Sequence, residues 1–539
     1  MECSFDGCDN QVFKDINECA LHCTKNNYQV DRNSGLLINF NRLLKEFVRK
    51  DIIDGASTTE VPHIMLFLKF IDGKLSHEEM QEESFNLYKD QKDEGMTDID
   101  EILSNNVSVF SGFHFPTRDN RDSYDYLKWL KYVGGIHFMN CFFYLRALDL
   151  KDTKTFFDSC TFEEEFSFSP IALLENAYDS IFSHCNFNKA IEIAPSSDTL
   201  KNNIYEYRIL YNCDNLDSMT IRDSVFREEV FYKEKNNDDN INIRISNLFI
   251  GDCIFENKFK LNNFEINSLE ISNSHFKSKF ELKNSEIKIL RFEDVNVDKV
   301  FDAFGSKFEK SYFYKSIFND FAGFEDVQFG SEQEKDIEEF LTIFKYVTFM
   351  DFSSFRDARF NSGLDFSKTN LKDTPNFLNV DVSFTNTTRE TFRIIKNSFD
   401  DVGNKLEANK FFAEEMAVYK KELDEDGDKW DRLVYRANEE ISDFGRSYIK
   451  PSVLLFLSLI IYTSLLSIHE SFFENYDYLL HPWVNCLSIQ ANEVAKNLLP
   501  FSKFLEKKSG IEFVSLLFYI WFGILIWQIV VAVKRHTQR

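Results

Sequence analysis

The sequence has little of what marks a loop-rich or disordered chain, with only 18 glycines and 8 prolines among 539 residues. Positive charge is also scarce, since 62 Lys and Arg stand against 88 Asp and Glu, a net charge of −26. Low glycine and proline argue against an irregular chain. The negative charge argues against direct nucleic-acid binding, because such binding needs a basic face to displace counterions from phosphates.

Motifs for catalysis are missing from the sequence as well. It contains no phosphate-cradling glycine loop, no dinucleotide-binding fingerprint, no HExxH zinc helix and no nucleophile elbow. The histidines His137, His184 and His275 lie among repeats, where we expect a structural role. We therefore expect that the protein is not an enzyme.

The first residues, MECSFDGCDNQVF, have neither a basic start nor an apolar run. We therefore expect no secretory signal and a cytosolic location with reduced thiols.

Cysteines cluster at the N-terminus in two close groups that lie about ten residues apart. Two such pairs, each on a tight turn, can converge tetrahedrally on Zn²⁺. Four protein ligands leave no open position, so the site is predicted to be structural and to fold a segment too small to hold itself together. The alternative is a set of unpaired surface thiols. The predicted ligands are Cys3, Cys8, Cys19 and His22, with Cys23 as a substitute for His22.

Phenylalanine is what the chain has in excess, with 59 residues. Between residues 245 and 382 a large apolar residue returns every five residues, with an extra residue inserted at intervals. Self-similarity at a short fixed period indicates a solenoid. The recurring residues are Ile245, Ile250, Phe255, Leu261, Ile266, Ile271, Phe276, Leu282, Ile287, Phe292, Val297, Phe308, Phe313, Phe318, Phe324, Phe329, Phe349, Phe355, Phe360, Phe366, Leu371, Phe377 and Val382.

A small residue stands two positions before many of these large ones. It also precedes Phe143, Phe162, Phe187 and Phe226 in a weaker set of repeats that begins near Phe138. In an extended strand, residues two apart face the same side, so a small and a large side chain are predicted to point inward together. This pattern accounts for four cysteines without a metal or redox role. The small residues are Cys141, Cys160, Cys185, Ser224, Cys253, Ser274, Ser285, Ser306, Ser316, Ala358 and Thr369.

The segments CIFEN at 253–257 and SIFND at 316–320 show this motif with polar residues around it. In this motif the sequence resembles the pentapeptide-repeat family, in particular bacterial, membrane-anchored members with an N-terminal zinc knuckle and a C-terminal two-span hairpin. The resemblance implies a mainly β fold, a right-handed quadrilateral β-helix in which five residues make each side. Six-residue steps depart from the family pattern, and the segment 330–344 breaks the count, so a loop or short helix is expected there.

The whole chain is predicted to contain six segments with different roles. Residues 1–30 form the zinc-knuckle-like segment, 31–135 a helical or mixed region, 136–240 degenerate repeat coils with inserts, 241–400 the regular β-helix, 401–448 a helical cap or linker, and 449–539 a two-span hairpin with a basic tail.

Two uncharged apolar runs, Pro451–Ile468 and Phe513–Val533, are long enough to predict transmembrane helices. The alternative is a pair of buried core helices. Basic residues flank the outer ends of both runs, which predicts a multi-pass protein of the inner (cytoplasmic) membrane with both termini in the cytoplasm. These flanking residues are Arg446, Lys450, Lys534, Arg535 and Arg539.

Three functions are consistent with this organisation. The first is a membrane-anchored cytoplasmic solenoid that acts as a scaffold or sensor for an unidentified cytosolic protein, because rigid solenoids present long faces to partners. The second is an oligomeric, ion-channel-like protein, a homo-oligomer with the solenoid as its regulatory domain. The third, implied by the family resemblance, is an acidic rod that mimics DNA and binds a nucleic-acid enzyme. In all three, two C-terminal helices bind the lipid bilayer.

Overall fold

The structure is a computed structural model. It describes residues 2–14, 16–25, 35–56, 60–91, 106–117, 125–148, 150, 153–169, 172–194, 203–234, 243–331, 333, 338–472, 489, 491 and 511–537. The chain divides into two compact units, Met1–Thr387 and Thr388–Arg539.

The first unit begins with helices, in the region that the sequence predicted to be helical or mixed. The helices are α1 (Leu36–Asp54), α2 (Val61–Ile71), α3 (His77–Gln91) and α4 (Leu127–Leu130).

Helix α1 buries one apolar face. Its Phe40 is fully buried and lies with its ring edge-on to Phe115, at 5.8 Å between ring centroids. The Phe47 ring lies 5.3 Å from the Phe110 ring, with the two planes tilted by 46°. Both contacts reach the first two strands, so α1 packs across the start of the sheets.

The rest of this unit consists of parallel strands in four stacked sheets, within the part of the chain that the structure describes. Sheet 1 contains Val107–Ser111, Gly135–Met139, Lys154–Asp158, Ser180–Ser183, Arg208–Tyr211 and Phe231–Tyr232. Sheet 2 contains Asn203–Tyr205, Ser224–Phe226, Ile254–Phe255, His275–Phe276, Asn296–Val297, Ile317–Phe318, Thr348–Phe349 and Asn370–Leu371. Sheet 3 contains His114–Phe115, Phe142–Phe143, Thr161–Phe162, Phe166–Phe168, Asn186–Ile193, Asn215–Arg222, Ile243–Gly251, Phe264–Ser272, Glu286–Glu293, Lys307–Tyr314, Gln328–Phe329, Thr342–Lys345, Arg359–Phe360, Leu364–Asp365 and Asp381–Val382. Sheet 4 contains Phe259–Lys260, Phe280–Glu281, Phe301–Asp302, Ala322–Gly323 and Ser353–Ser354.

In the regular stretch that begins at Ile243, the chain returns to the same sheet every 21 residues. Ile245 pairs with Ile266, and Ile266 pairs with Ile287, in register. The hydrogen bond from the Ser285 N–H to the Ser306 Oγ spans the same 21 residues. The bends between strands repeat at this interval too, because residues with left-handed backbone recur there. Two such rows are Asp252, Asn273, Asp294 and Lys315, and Asn263, Asn284, Gly305 and Asp326.

The large residues of the repeat point inward as predicted. All are buried except Leu371 and Val382 near the C-terminal end, which are half-buried. Phenylalanines of neighbouring strands stack face to face, with centroids 4.7 Å apart for Phe255 and Phe276 and 5.0 Å for Phe324 and Phe355. The interior therefore contains stacked aromatic rings beside aliphatic rows such as Ile245, Ile266 and Ile287.

The small residues also point inward, and those with hydroxyl groups have a second role. Ser285 accepts a hydrogen bond from the Phe264 N–H at 3.1 Å and donates one to the Leu261 carbonyl at 2.6 Å. Such bonds pair backbone groups that would otherwise be buried without a partner, which is costly. The four cysteines predicted to be structural, Cys141, Cys160, Cys185 and Cys253, are buried.

The strands begin before the predicted start of the repeats near Phe138, because Val107–Ser111 already pairs with Gly135–Met139. In the segment 330–344, a short 3-10 helix, Glu338–Phe340, confirms the predicted interruption. The predicted polar inserts fall partly on residues 195–202 and 235–242, which lie outside the described residues.

The second unit is helical. Its helices are α5 (Arg389–Asp401), α6 (Lys405–Asp426), α7 (Lys429–Ser442), α8 (Ile449–Phe472) and α9 (Glu512–Thr537). Helix α5 lies inside the range 241–400 that the sequence analysis gave to the regular repeats.

Helices α8 and α9 are long and apolar enough to cross a membrane. Their apolar segments, Ile449–His469 and Glu512–Arg535, have mean hydropathies of 2.0 and 2.4. Only 11% and 17% of these segments are buried inside the protein, so they do not resemble core helices of a soluble protein. Most of the predicted connection between them lies outside the described residues.

Candidate metal site

Three of the four predicted ligands lie on two tight turns, and the fourth, Cys3, lies beside the first turn, where its N–H donates to the Asn10 carbonyl at 2.9 Å. In the first turn, the Cys8 N–H donates to the Phe5 carbonyl at 3.1 Å, with the left-handed Gly7 between them. In the second turn, the His22 N–H donates to the Cys19 carbonyl at 3.2 Å. Both turns therefore direct their side chains into one space.

The ligand atoms of Cys3, Cys8, Cys19 and His22 all lie within 4.8 Å of one another. The Cys8 and Cys19 sulfurs are 3.8 Å apart, and the His22 Nδ1 lies 3.3 Å from the Cys19 sulfur and 3.6 Å from the Cys3 sulfur. Such a cluster can hold a metal ion.

Backbone and amide N–H groups support the sulfurs. The Cys19 N–H donates to the Cys3 sulfur at 3.2 Å, and the Asn10 side-chain amide donates to the Cys8 sulfur at 3.4 Å. Hydrogen bonds of this kind stabilise negative charge on thiolate ligands and fix their orientation.

The His22 ring is fixed by its neighbours. It stacks on Phe5, with centroids 4.0 Å apart and planes 7° apart, and lies edge-on to Phe113 at 5.2 Å. The ring also hydrogen-bonds the Ser111 backbone. Burial lowers the pKa of His22 to about 4, so the imidazole is neutral and has a lone pair to offer at physiological pH.

Burial has the opposite effect on Cys19 in the same cluster. It raises the pKa of the Cys19 thiol to about 12. A bound cation reverses this preference, since a coordinating thiol is deprotonated by the metal. The cluster thus favours a cation over protons once the cation is present.

Cys23, the substitute ligand, is not among the four clustered residues. Its sulfur lies 3.5 Å from the Nζ of Lys25, which also donates to the Cys23 carbonyl. Sequence reasoning missed Lys25, which is only 1% exposed. No periodicity or spacing marks it, because a lysine next to a cysteine cluster is ordinarily expected at the surface.

The cluster is attached to the first strands of the sheets. The His114 N–H donates to the Leu21 carbonyl at 2.8 Å. Gly112 has a left-handed φ of 69°, and a Cβ there would lie 2.2 Å from the Phe5 ring. A glycine is therefore required where the metal-binding segment meets the sheets.

The structure also has a long polar groove on sheet 3, with a volume of about 1090 Å³. Two acidic residues lie between two basic ones at one position of four successive strands, in the order Arg244, Glu265, Glu286 and Lys307. Arg244 and Glu265 form an ion pair at 2.7 Å, and Lys307 and Glu286 form one at 2.9 Å. This groove could not be predicted from the sequence, because it arises only when strands from successive circuits lie side by side.

The predicted structural histidines lie in the repeats. His275 pairs with Asp298 at 2.8 Å, and the His184 ring lies 2.7 Å from the Ser183 hydroxyl.

A scan against protein-family models, a search of curated proteins and a search of solved structures found no match for this chain.

Proposed function

We propose that this protein is a membrane-anchored scaffold. In this proposal a right-handed, four-sided β-helix of the pentapeptide-repeat type binds a protein partner, and a structural zinc site closes its N-terminal end. The role is not catalytic. The polar groove on sheet 3 is the observation that carries the proposal.

The repeat interval supports the four-sided helix. A circuit of 21 residues accommodates four sides of five residues and one additional residue. The additional residue accounts for the six-residue steps in the sequence. In the regular stretch each circuit has strands in three sheets, and the strand in sheet 3 is long enough for two sides, as in Ile243–Gly251 with nine residues.

The groove suits an extended protein segment. It is open and polar, it crosses successive strands, and its ion pairs are exposed at the surface, with 82% of the Arg244 side chain accessible. Paired charges of both signs complement a polypeptide of mixed charge, whereas a nucleic-acid backbone needs a continuous basic surface.

The zinc assignment rests on donor chemistry and on distances. A tetrahedral ion with Zn–S bonds of about 2.3 Å separates its sulfur ligands by about 3.8 Å. The Cys8 and Cys19 sulfurs are 3.8 Å apart, and a set of three thiolates and one imidazole is a common structural zinc set.

Metal analysis tests the zinc site. The double variant Cys3→Ser/Cys8→Ser should lose about one equivalent of zinc. Cys23→Ser is the matched control, and it should retain the metal because Cys23 lies outside the cluster. Zinc content unchanged in the double variant would refute the assignment.

The exposed apolar helices α8 and α9 support the membrane anchor, because so much apolar surface needs a lipid environment. Extraction of membranes with alkaline carbonate tests this point. The protein should remain with the membranes, and its release into the supernatant would contradict the anchor.

Affinity capture of the full chain from detergent extracts, with the captured protein identified and its binding measured, tests the scaffold. Lys307→Glu reverses a charge inside the groove and should weaken binding on the order of tenfold. Lys277→Glu is the matched control, since Lys277 forms a similar exposed pair with Glu256 outside the groove. Equal effects of both variants would exclude the groove as the binding face.

Ion conduction and DNA mimicry stay predictions from the sequence. Flux measurements in liposomes test the first, and no conductance at any voltage or tension would remove it.

A further inference from the structure

Helix α7 exposes an apolar face to solvent. Trp430, Leu433 and Val434 are 73%, 58% and 55% exposed. Spacings of three and four residues place them side by side on one face. An exposed Trp together with two branched aliphatic residues is unusual on a surface that contacts only water.

The opposite face of α7 fixes its orientation. Tyr435 is buried, and its hydroxyl donates to the Met416 carbonyl of α6 at 2.8 Å. Its ring also lies 4.8 Å from the Phe444 ring. Helix α7 therefore packs on α6 through Tyr435, and its apolar face lies on the side away from α6.

The C-terminal end of α7 lies beside the end of an apolar helix. The side-chain oxygens of Ser442 and Gln528 are 2.9 Å apart, and Arg535 donates to the Phe444 carbonyl at 2.7 Å. Gln528 lies about two turns before Arg535, and Arg535 belongs to the last turn of α9, where the apolar sequence becomes basic. This is the level at which a spanning helix leaves the hydrocarbon.

The first two turns of α7, where the apolar face lies, contain Lys429, Arg432 and Arg436 against the acidic Asp431. The helix as a whole is balanced, because Glu439 and Glu440 lie near its C-terminal end. Basic residues beside an apolar helical face match anionic lipid headgroups above acyl chains.

We propose that α7 lies in the membrane interface, with Trp430, Leu433 and Val434 inserted at the boundary between headgroups and acyl chains of an anionic lipid surface. The inference rests on the proposed membrane hairpin and extends it. Exposed apolar surface continues from α7 into α8 through Tyr448 and Ile449, which favours one lipid surface over a separate protein partner. Trp and Tyr are the residues enriched at this depth.

Lipid photo-cross-linking tests the proposal. The full chain is reconstituted in nanodiscs of phosphatidylcholine and phosphatidylglycerol that contain a diazirine-bearing lipid, and adducts are mapped by mass spectrometry. The peptide with Trp430, Leu433 and Val434 should be labelled several-fold more than peptides around Ile289 and Phe304, two residues exposed in the first unit. Replacing phosphatidylglycerol with phosphatidylcholine should reduce that labelling.

The variant Trp430→Ser/Leu433→Ser/Val434→Ser should lose the α7 adducts and keep those on α8 and α9. Ile289→Ser is the matched control and should change no labelling. All four residues are exposed, so the fold should persist, which circular dichroism checks.

Three results would overturn the inference. Adducts on α8 and α9 with background labelling of α7 would remove the interfacial helix and leave the hairpin intact. Cross-links between copies through Lys429, with no lipid adducts on α7, would assign the face to a second copy. Background labelling of α7, α8 and α9 alike would refute the hairpin itself, and the inference with it.

Discussion

Two stretches of the parallel sheets fill the same inward position with different side chains. In residues 107–234, which we name the cysteine stretch, thiols occupy most of these positions, with Ser224 as an exception, and the Cys160 sulfur lies 3.4 Å from the Phe138 carbonyl. In residues 243–330, the serine stretch, hydroxyls occupy most of these positions. The Ser306 Oγ accepts from the Ser285 N–H at 3.0 Å and also bonds the Leu282 carbonyl.

The difference shows which property the position requires. A small volume is common to both stretches, since a thiol packs as a small apolar group. Two strong hydrogen bonds are available only from a hydroxyl. The serine stretch keeps its register without a break, whereas the cysteine stretch has a bulge between Leu216 and Ser218. Hydrogen bonds from serine hydroxyls are thus found in the stretch whose strand register is more regular.

Loss of the proposed metal ion should give the largest difference in amide exchange between the two stretches. Structural zinc contributes on the order of 10 kcal/mol to the folding of small segments. In the variant Cys3→Ser/Cys8→Ser, amide exchange should rise in Val107–Ser111 and His114–Phe115, which adjoin the site. The serine stretch should be unchanged, because a repeat contacts only its neighbours. Hydrogen exchange checks this, and equal loosening along the whole unit would contradict it.

Removal of one aromatic ring from each stretch should cost a similar amount, about 3–5 kcal/mol for Phe157→Ala and for Phe276→Ala. Phe157 stacks between Phe138 and Phe182, both at 4.9 Å, and Phe276 stacks on Phe255 at 4.7 Å. Denaturant unfolding followed by exchange in each stretch measures the loss.

The conservative variant Phe276→Leu is the control for the aromatic substitutions and should lose less. A much smaller loss for Phe157→Ala than for Phe276→Ala would show that the cysteine stretch is loosely packed.

A smaller effect is expected at the small inward residue. Ser306→Ala leaves the Ser285 N–H and the Leu282 carbonyl without this partner, at a cost of about 1–3 kcal/mol. The Cys185 sulfur lies 3.3 Å from the Ser183 carbonyl, so the hydroxyl in Cys185→Ser can donate to the same oxygen. The loss for Cys185→Ser should therefore be smaller, as equilibrium unfolding can determine. Equal losses would remove the distinction between the two stretches.

The smallest loss of stability is expected on acidification, in the helices that pack against the start of the cysteine stretch. Hydrogen bonds from Lys45 and Arg49 lower the pKa of Asp72 to about 2. A lowered pKa means that the ionised carboxylate stabilises the folded state above the ordinary pKa of about 3.8, and that this contribution is lost as pH falls through about 2. We expect a loss of about 1 kcal/mol, because the pair lies near the surface.

The acid effect should appear as faster amide exchange in α1 at low pH. The control Asp72→Asn should remove the pH dependence in this range. A dependence that persists in Asp72→Asn would contradict the assignment.

The regular repeat and the metal cluster could be predicted from the sequence because each depends on local spacing. The period of the large residues fixes which side chains are buried, and Cys8 and Cys19 belong to two short turns. The first strands were missed although Ser108 stands two positions before Phe110 and Phe115 follows five residues later, because this instance of the motif is separated from Phe138 by more than 20 residues. The helical start at Arg389 was missed because α5 follows the last strands after only a short link.

The buried Lys25 and the polar groove could not be predicted for a different reason. Both depend on residues that are far apart in sequence and meet only in the folded chain. For example, Arg244 meets Glu265 only because the chain returns after 21 residues.

The fixed register has an evolutionary consequence. Duplication of one 21-residue circuit would lengthen the unit and leave every inward side chain inward, whereas a shorter insertion within a strand would turn phenylalanines outward. The chain itself shows an allowed exception, since Phe329 pairs with Phe360 across 31 residues, ten more than one circuit, and the 3-10 helix Glu338–Phe340 lies between them. A gene of this kind can therefore lengthen by whole circuits and diversify at the bends, while its core keeps the same pattern.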